Sequence, residues 1–211
     1  PPQVAVALDL VMVHLVRLIS VRFPKPGVGE DADVAVDSVV KSAKARGVGT
    51  QVVVARTLVD VGRLDEARDL IEHLAGQARS DQDRGHARYL EGFLAEKAGD
   101  PQLALQRYTQ ALTADPFRVD ACVNAVSLLL ENNTPAALAR IPGLVEQVPA
   151  ATRSQSPDLL FNHALYLSRS GETGLARANL ERILQVTGGD GRLAVLARRG
   201  LDELAHKAGG A

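Results

Sequence analysis

What this chain lacks narrows it first. A single cysteine, Cys122, among 211 residues rules out an internal disulfide and a cysteine-based zinc site. Alone, it reads as a small buried hydrophobe. Tryptophan is absent and aromatics make up only 3% of residues, so a handful of rings must serve the whole molecule. Neither sign of charge dominates: 24 Lys and Arg face 25 Asp and Glu, for a net charge of −1. Nucleic acid or an anionic membrane surface would call for clustered cations, and no such cluster is written here. No apolar run is long enough for a membrane span. The segment 4–21, "VAVALDLVMVHLVRLISV", is interrupted by Asp9, His14 and Arg17, where a spanning helix needs about 20 mostly apolar residues. It reads as a buried helix, with a strand over 4–8 as the lesser option because of its valines.

Chemistry is also missing. The histidines His14, His73, His86, His163 and His206 have no second His or Cys at ligand spacing. His73 reads as solvated or capping and His163 as a packed structural histidine. Neither a nucleophile-elbow nor a phosphate-loop motif is present. "GVGEDA" (Gly27, Gly29, Ala32) fits a dinucleotide fingerprint only formally. Pro24 and Pro26 crowd its approach, Glu30, Asp31 and Asp33 would repel a pyrophosphate, and the expected downstream acid is absent. The glycosylation triplet at Asn132 and the basic doublet Arg198–Arg199 read as chance and as solvated surface. The expectation is a non-catalytic protein with no cofactor and no metal. The chain starts Pro1–Pro2 rather than with Met. It is expected to be a processed product or an excised fragment, cytoplasmic, or periplasmic if an upstream signal was removed.

What is present is repetition. Gly62, Gly99 and Gly171 are each followed five residues later by an alanine: Ala67, Ala104 and Ala176. Seven residues before each glycine stands Ala55, Gly92 or Ala164, and four before it Leu58, Ala95 or Leu167. Four residues after each alanine comes Ile71, Tyr108 or Leu180. A degenerate copy fits if Asn132 replaces the glycine, between Ala125 and Ala137, because Asn tolerates the left-handed region next best after Gly. The physical reading is a helical hairpin. A glycine with positive φ ends the first helix. Asp65 and Glu66, Asp100 with Pro101, or Glu172 with Thr173 open the second, capping its free amides. Small residues sit where the two helices cross, and the larger residue one turn on fills the adjoining hole.

On these residues, with Ala111 and Pro116 in the best copy and the junction "ALTADPFRVDA", the chain resembles the tetratricopeptide repeat (TPR) family, whose units are helix-turn-helix hairpins of about 34 residues. The resemblance covers about 48–187 and implies an all-α, right-handed superhelical solenoid. Repeats are expected at 48–81, 85–118, 119–150 (degenerate) and 157–190. An atypical helical segment, 1–47, precedes them, with a helix over 31–47 capped by Asp31 or Asp33. A capping helix with Leu193, Leu196, Leu201 and Leu204 on one stripe follows in 191–211. Pro142 should kink or shorten the second helix of the degenerate unit.

The resemblance further implies that the first helix of each hairpin lines a concave groove. By register this assigns Val52 and Arg56, with Val59; then His86, Tyr89 and Phe93, with Glu96; then Phe161, Asn162, Leu165 and Arg169, with Asp158. Tyr89, Phe93, Phe161 and Leu165 would anchor apolar side chains, and Arg56, His86, Asn162 and Arg169 would fix register. The carboxylate-clamp form of the family needs basic groove positions that are Val, Leu and Phe here. The expected function is a protein-interaction scaffold for an apolar or amphipathic peptide segment of a partner protein. The alternative is a structural or regulatory module, its groove filled in cis by the N-terminal apolar segment or used for self-association.

Overall fold

The computed structural model describes residues 11–18 and 30–209. All regular structure among them is helical, with no strand. The proposed strand over 4–8 and the glycines of "GVGEDA" lie outside the described residues. The chain forms two compact units, 1–115 and 116–211.

The first unit contains α1 (residues 11–18), α2 (Glu30–Lys44) and two hairpins. The hairpins are α3 (Val48–Asp60) with α4 (Leu64–Gln77), and α5 (Asp81–Lys97) with α6 (Pro101–Ala114). The turns of both follow from one glycine each. Gly62 and Gly99 have φ of 81° and 83°, a region that side chains with a Cβ rarely adopt. That conformation folds the chain back so that the amide after the glycine reaches across the helix end. Arg63 N donates to Leu58 O at 2.9 Å, and Asp100 N to Ala95 O at 2.9 Å, the Schellman closure of otherwise unsatisfied carbonyls. Pairing then buries the small residues. Ala55, Leu58, Ala67 and Ala104 have no exposed surface. Gly92 is small by necessity, since a Cβ there would lie 2.7 Å from Tyr108 Cδ1.

The start of this unit departs from expectation. α2 begins at Glu30, so Asp31 and Asp33 lie inside the helix rather than capping it. Asp33 instead meets Arg63, only 2% exposed, at 2.7 Å. Arg63 also donates from Nε to Glu66 Oε1 at 2.7 Å. Burial alone would weaken the charge of Arg63, but the bonds to Glu66 and Asp33 outweigh it and hold its pKa above the usual value. The ion pair ties α2 to the first hairpin's turn. Asp65 and Glu66 likewise do not cap α4, whose N-cap is Arg63 without a side-chain bond. They act through charge in its first turn. Asp100 does cap α6, accepting from Leu103 N at 2.9 Å.

The second unit contains α7 (Val119–Asn132), α8 (Pro135–Leu138), α9 (Ile141–Gln147), α10 (Ala150–Arg153), α11 (Pro157–Arg169), α12 (Thr173–Val186) and α13 (Gly191–Gly209). The left-handed residue after α7 is Asn133, φ 53°, not Asn132. Asn132 instead accepts from the Thr134 hydroxyl at 2.7 Å, and Thr134 caps α8. As expected from Pro142, the second helix of this repeat is not continuous. Pro142 sits in the first turn of α9, where its missing N–H costs nothing. The α11/α12 turn repeats the geometry of the first unit, with Gly171 at φ 81° and Glu172 N donating to Leu167 O at 2.9 Å. Glu172 gives no side-chain cap. Ala164, Leu167, Ala176, Leu180 and Ile183 form a core with Ala197 and Leu204 of α13. The final helix therefore covers the apolar face of the last hairpin.

Candidate functional site

The residues expected along the groove fall into two sets, one in each unit. In the first unit Tyr89 and Phe93 lie one turn apart on α5. Their rings are stacked, 6.3 Å between centroids and 5° between planes. Tyr89 also meets Tyr108 at 5.8 Å, and Tyr108 Oη donates to Glu96 Oε2 at 2.7 Å. Tyr89 is 3% exposed and Phe93 8%. These rings occupy the seam between α5 and α6 because Gly92 leaves the space for Tyr108. Over the Phe93 ring sit two cations, Arg56 with its guanidinium carbon 5.9 Å from the centroid and Lys97 with Nζ at 5.5 Å. Arg56 is exposed, Val52 half-buried, and Val59 buried. His86 is half-buried, its Nδ1 2.8 Å from Gln82 O.

In the second unit Phe161 and Leu165 do border open space. Together with Leu180 of α12 and Leu196, Arg199 and Leu204 of α13 they line a cleft of about 210 Å³. Phe161 is half-buried and Leu165 is 37% exposed. Arg199 and Glu203 stand exposed beside it on α13, one turn apart. Asn162 and Arg169 on the same helix turn to α7 instead. Asn162 Nδ2 donates to Val123 O at 3.1 Å and to Ser127 Oγ at 2.8 Å. Arg169 donates to Leu130 O at 2.8 Å and to Asn133 Oδ1 at 3.0 Å. Both side chains fasten α11 to α7. Asp158 is exposed at the start of α11.

Two contributors were not read from the sequence. Lys97 follows Phe93 by one turn, a spacing that could have pointed to it. The α13 residues were read only as a cap. The Leu193–Leu204 stripe has a width that serves both the core and the cleft, and Leu196 belongs to the second.

Among the described residues no group of His, Cys, Asp and Glu is arranged to hold a metal ion. No helix among them is long and apolar enough to cross a membrane. Cys122 is buried, 3.6 Å from Leu144 O, and burial pushes its thiol up to about 12. It is held as an unreactive thiol.

Paired helices closed by left-handed glycines, with alanines at every crossing, give the chain a TPR-like all-α fold of the α-solenoid class. Among solved structures it is similar to YrrB, described as a TPR protein with an unusual peptide-binding site. The match has a TM-score of 0.53 and 17% identity, and covers 89% of this chain and 90% of that one. No protein-family model matches the sequence, and no curated protein matches it.

Proposed function

We propose that the chain is a non-catalytic protein-interaction module that takes an amphipathic helical segment of a partner. The observation that carries this reading is the open apolar cleft of Phe161, Leu165, Leu180, Leu196 and Leu204. A cleft of this size accommodates one or two aliphatic side chains. Arg199 and Glu203 at its edge are placed to pair with opposite charges flanking them. Helix-in-groove recognition has this form, with apolar anchors at i, i+3 and i+4. YrrB, the similar structure, has a peptide-binding site by its own description, which fits this reading. In the first unit, Arg56 and Lys97 over Phe93 offer a flatter, cationic surface. On this reading Tyr89 and Phe93 support that surface from beneath, and His86 and Val52 flank it.

A display selection of helical peptides against the intact chain tests the proposal. Enriched peptides should carry apolar residues at helical spacing, and Leu165→Glu should abolish their capture while leaving the far-ultraviolet dichroism unchanged. Capture that survives Leu165→Glu, or no enrichment at all, removes this cleft from the function.

A second reading, self-association, is favoured by α1. Met12 and Val16 are buried there, whereas Val11, Leu15 and Leu18 are 61%, 40% and 55% exposed on another face of the same helix. Light scattering across protein concentration, with Leu15→Lys as the comparison, decides it. A mass that stays monomeric throughout eliminates this alternative.

A further inference from the structure

The interruption of the degenerate repeat leaves a second cavity in the 116–211 unit. The unbroken second helices α4, α6 and α12 each run 14 residues. Here the chain breaks into pieces of 4, 7 and 4 residues. A space of about 400 Å³ opens between the last two of these pieces, α9 and α10, and the α11/α12 hairpin, within the range of small-ligand sites. It shares no lining residue with the Phe161 cleft.

Its lining has two characters. Pro142, Val145, Leu159 and Leu160 supply hydrocarbon, while Arg153 and His163 supply polar groups. Arg153, half-buried, donates to Val145 O at 3.1 Å, and no carboxylate pairs with it among the described residues. Its remaining N–H groups are available to a ligand, since a guanidinium has five in a planar fork. His163 Nδ1 lies 3.2 Å from Asn179 Nδ2, so the neutral ring accepts there and keeps its proton on Nε2. The ring stacks on Tyr166 at 6.1 Å. Burial, and secondarily the charge of Arg153, hold His163 below its ordinary pKa. The other charged lining group is Glu146 on α9, which is exposed to solvent.

We propose that this cavity is a binding site for a small monocarboxylate with an apolar body, the carboxylate meeting Arg153 and His163. One cation beside a hydrocarbon wall matches one negative charge with an apolar tail, and not a polyanion. A bound carboxylate replaces the counter-charge that Arg153 lacks. His163, with Nδ1 accepting from Asn179, offers its Nε2–H to the carboxylate as the neutral ring.

The test uses the full chain, with N-acetyl-leucine as probe and N-acetyl-leucinamide as its uncharged twin, followed by NMR. Saturable shifts of the His163 ring and the Asn179 side-chain amide are expected. The acid should bind about tenfold or more tightly than the amide, as for a charge-assisted pair. Arg153→Gln should erase that preference, and Arg153→Lys, which keeps the charge, should retain part of it. Should Arg153→Gln disturb the fold, the acid-to-amide ratio of the unaltered chain and the Arg153→Lys titration still decide the matter. Equal binding of acid and amide, no saturable shift, or shifts confined to Phe161 and Leu165 overturn the proposal.

Discussion

In the α5/α6 hairpin the second helix runs unbroken, whereas after α7 the corresponding stretch is three short pieces joined by bends. The difference lies in how each disposes of its polar and aromatic groups. Around α5 and α6, Tyr108 fills the space above Gly92, its hydroxyl is satisfied by Glu96, and Tyr89 and Phe93 close the seam. The interrupted repeat does not pack this way, because its helical run stops at Ala139–Arg140 and again at Val148–Pro149, where the backbone is extended. Arg153 and His163 are left beside an open volume. Of these two repeats, the regular one closes its seam and the interrupted one leaves a cavity.

The largest expected effect tests the closed seam. Tyr108→Ala removes a fully buried ring and leaves Glu96 without its donor, at a cost of about 3–5 kcal/mol. Native-state hydrogen exchange of the α5 and α6 amides reports it, and a loss under about 1 kcal/mol would mean that the ring does not hold the hairpin together. Gly92→Ala comes next. Its new Cβ would fall 2.7 Å and 2.8 Å from two Tyr108 ring carbons, an overpacking worth about 1–3 kcal/mol. In a Tyr108→Leu background the same change should cost less, because the two sites share one contact. Additive costs would break the claim that Gly92 exists for Tyr108.

The smallest effect probes the open side. The folded protein holds His163 below its ordinary value of 6.5, through burial first and then Arg153. Above that value neither folded nor unfolded chain is protonated there, and the full stability is present. As the pH falls through it, the unfolded chain takes up the proton first, so stability declines. The melting temperature should therefore drop between about pH 7.5 and about pH 5.5, and His163→Gln should flatten that decline. An unchanged slope would place His163 in water.

Much of the scaffold could be read from residue identities because single residues dictate it. A positive φ demands Gly62, Gly99 and Gly171, and a close crossing demands Ala67, Ala104 and Ala176, all three without exposed surface. The degenerate turn was misplaced by one residue because two adjacent asparagines can each take the left-handed role, and hydrogen bonding from Thr134 decides between them. The Ser80/Asp83 capping box is written in "SDQD", a signal weaker than the glycine spacing because it uses Asp where Glu or Gln is usual. Ser80 Oγ accepts from Asp83 N at 3.0 Å, and Asp83 Oδ2 accepts from Ser80 N at 3.1 Å. Surface direction was least legible. One residue of register turns a side chain by about 100°, and even i,i+3 neighbours on one helix differ here: Leu165 is exposed while Asn162 is bonded to α7. Whether a ring ends in a seam or at a cleft depends on residues far along the chain, such as Leu196 and Leu204.

The hairpin turns at Gly62, Gly99 and Gly171 agree in φ to within a few degrees and use the same pair of backbone closures. Such joints are interchangeable parts. One helix of such a pair can be exchanged for its counterpart in another hairpin without redesigning the turn that joins them. The joint at Asn133, with φ of 53° and a side chain, is the one that would not accept such an exchange unchanged.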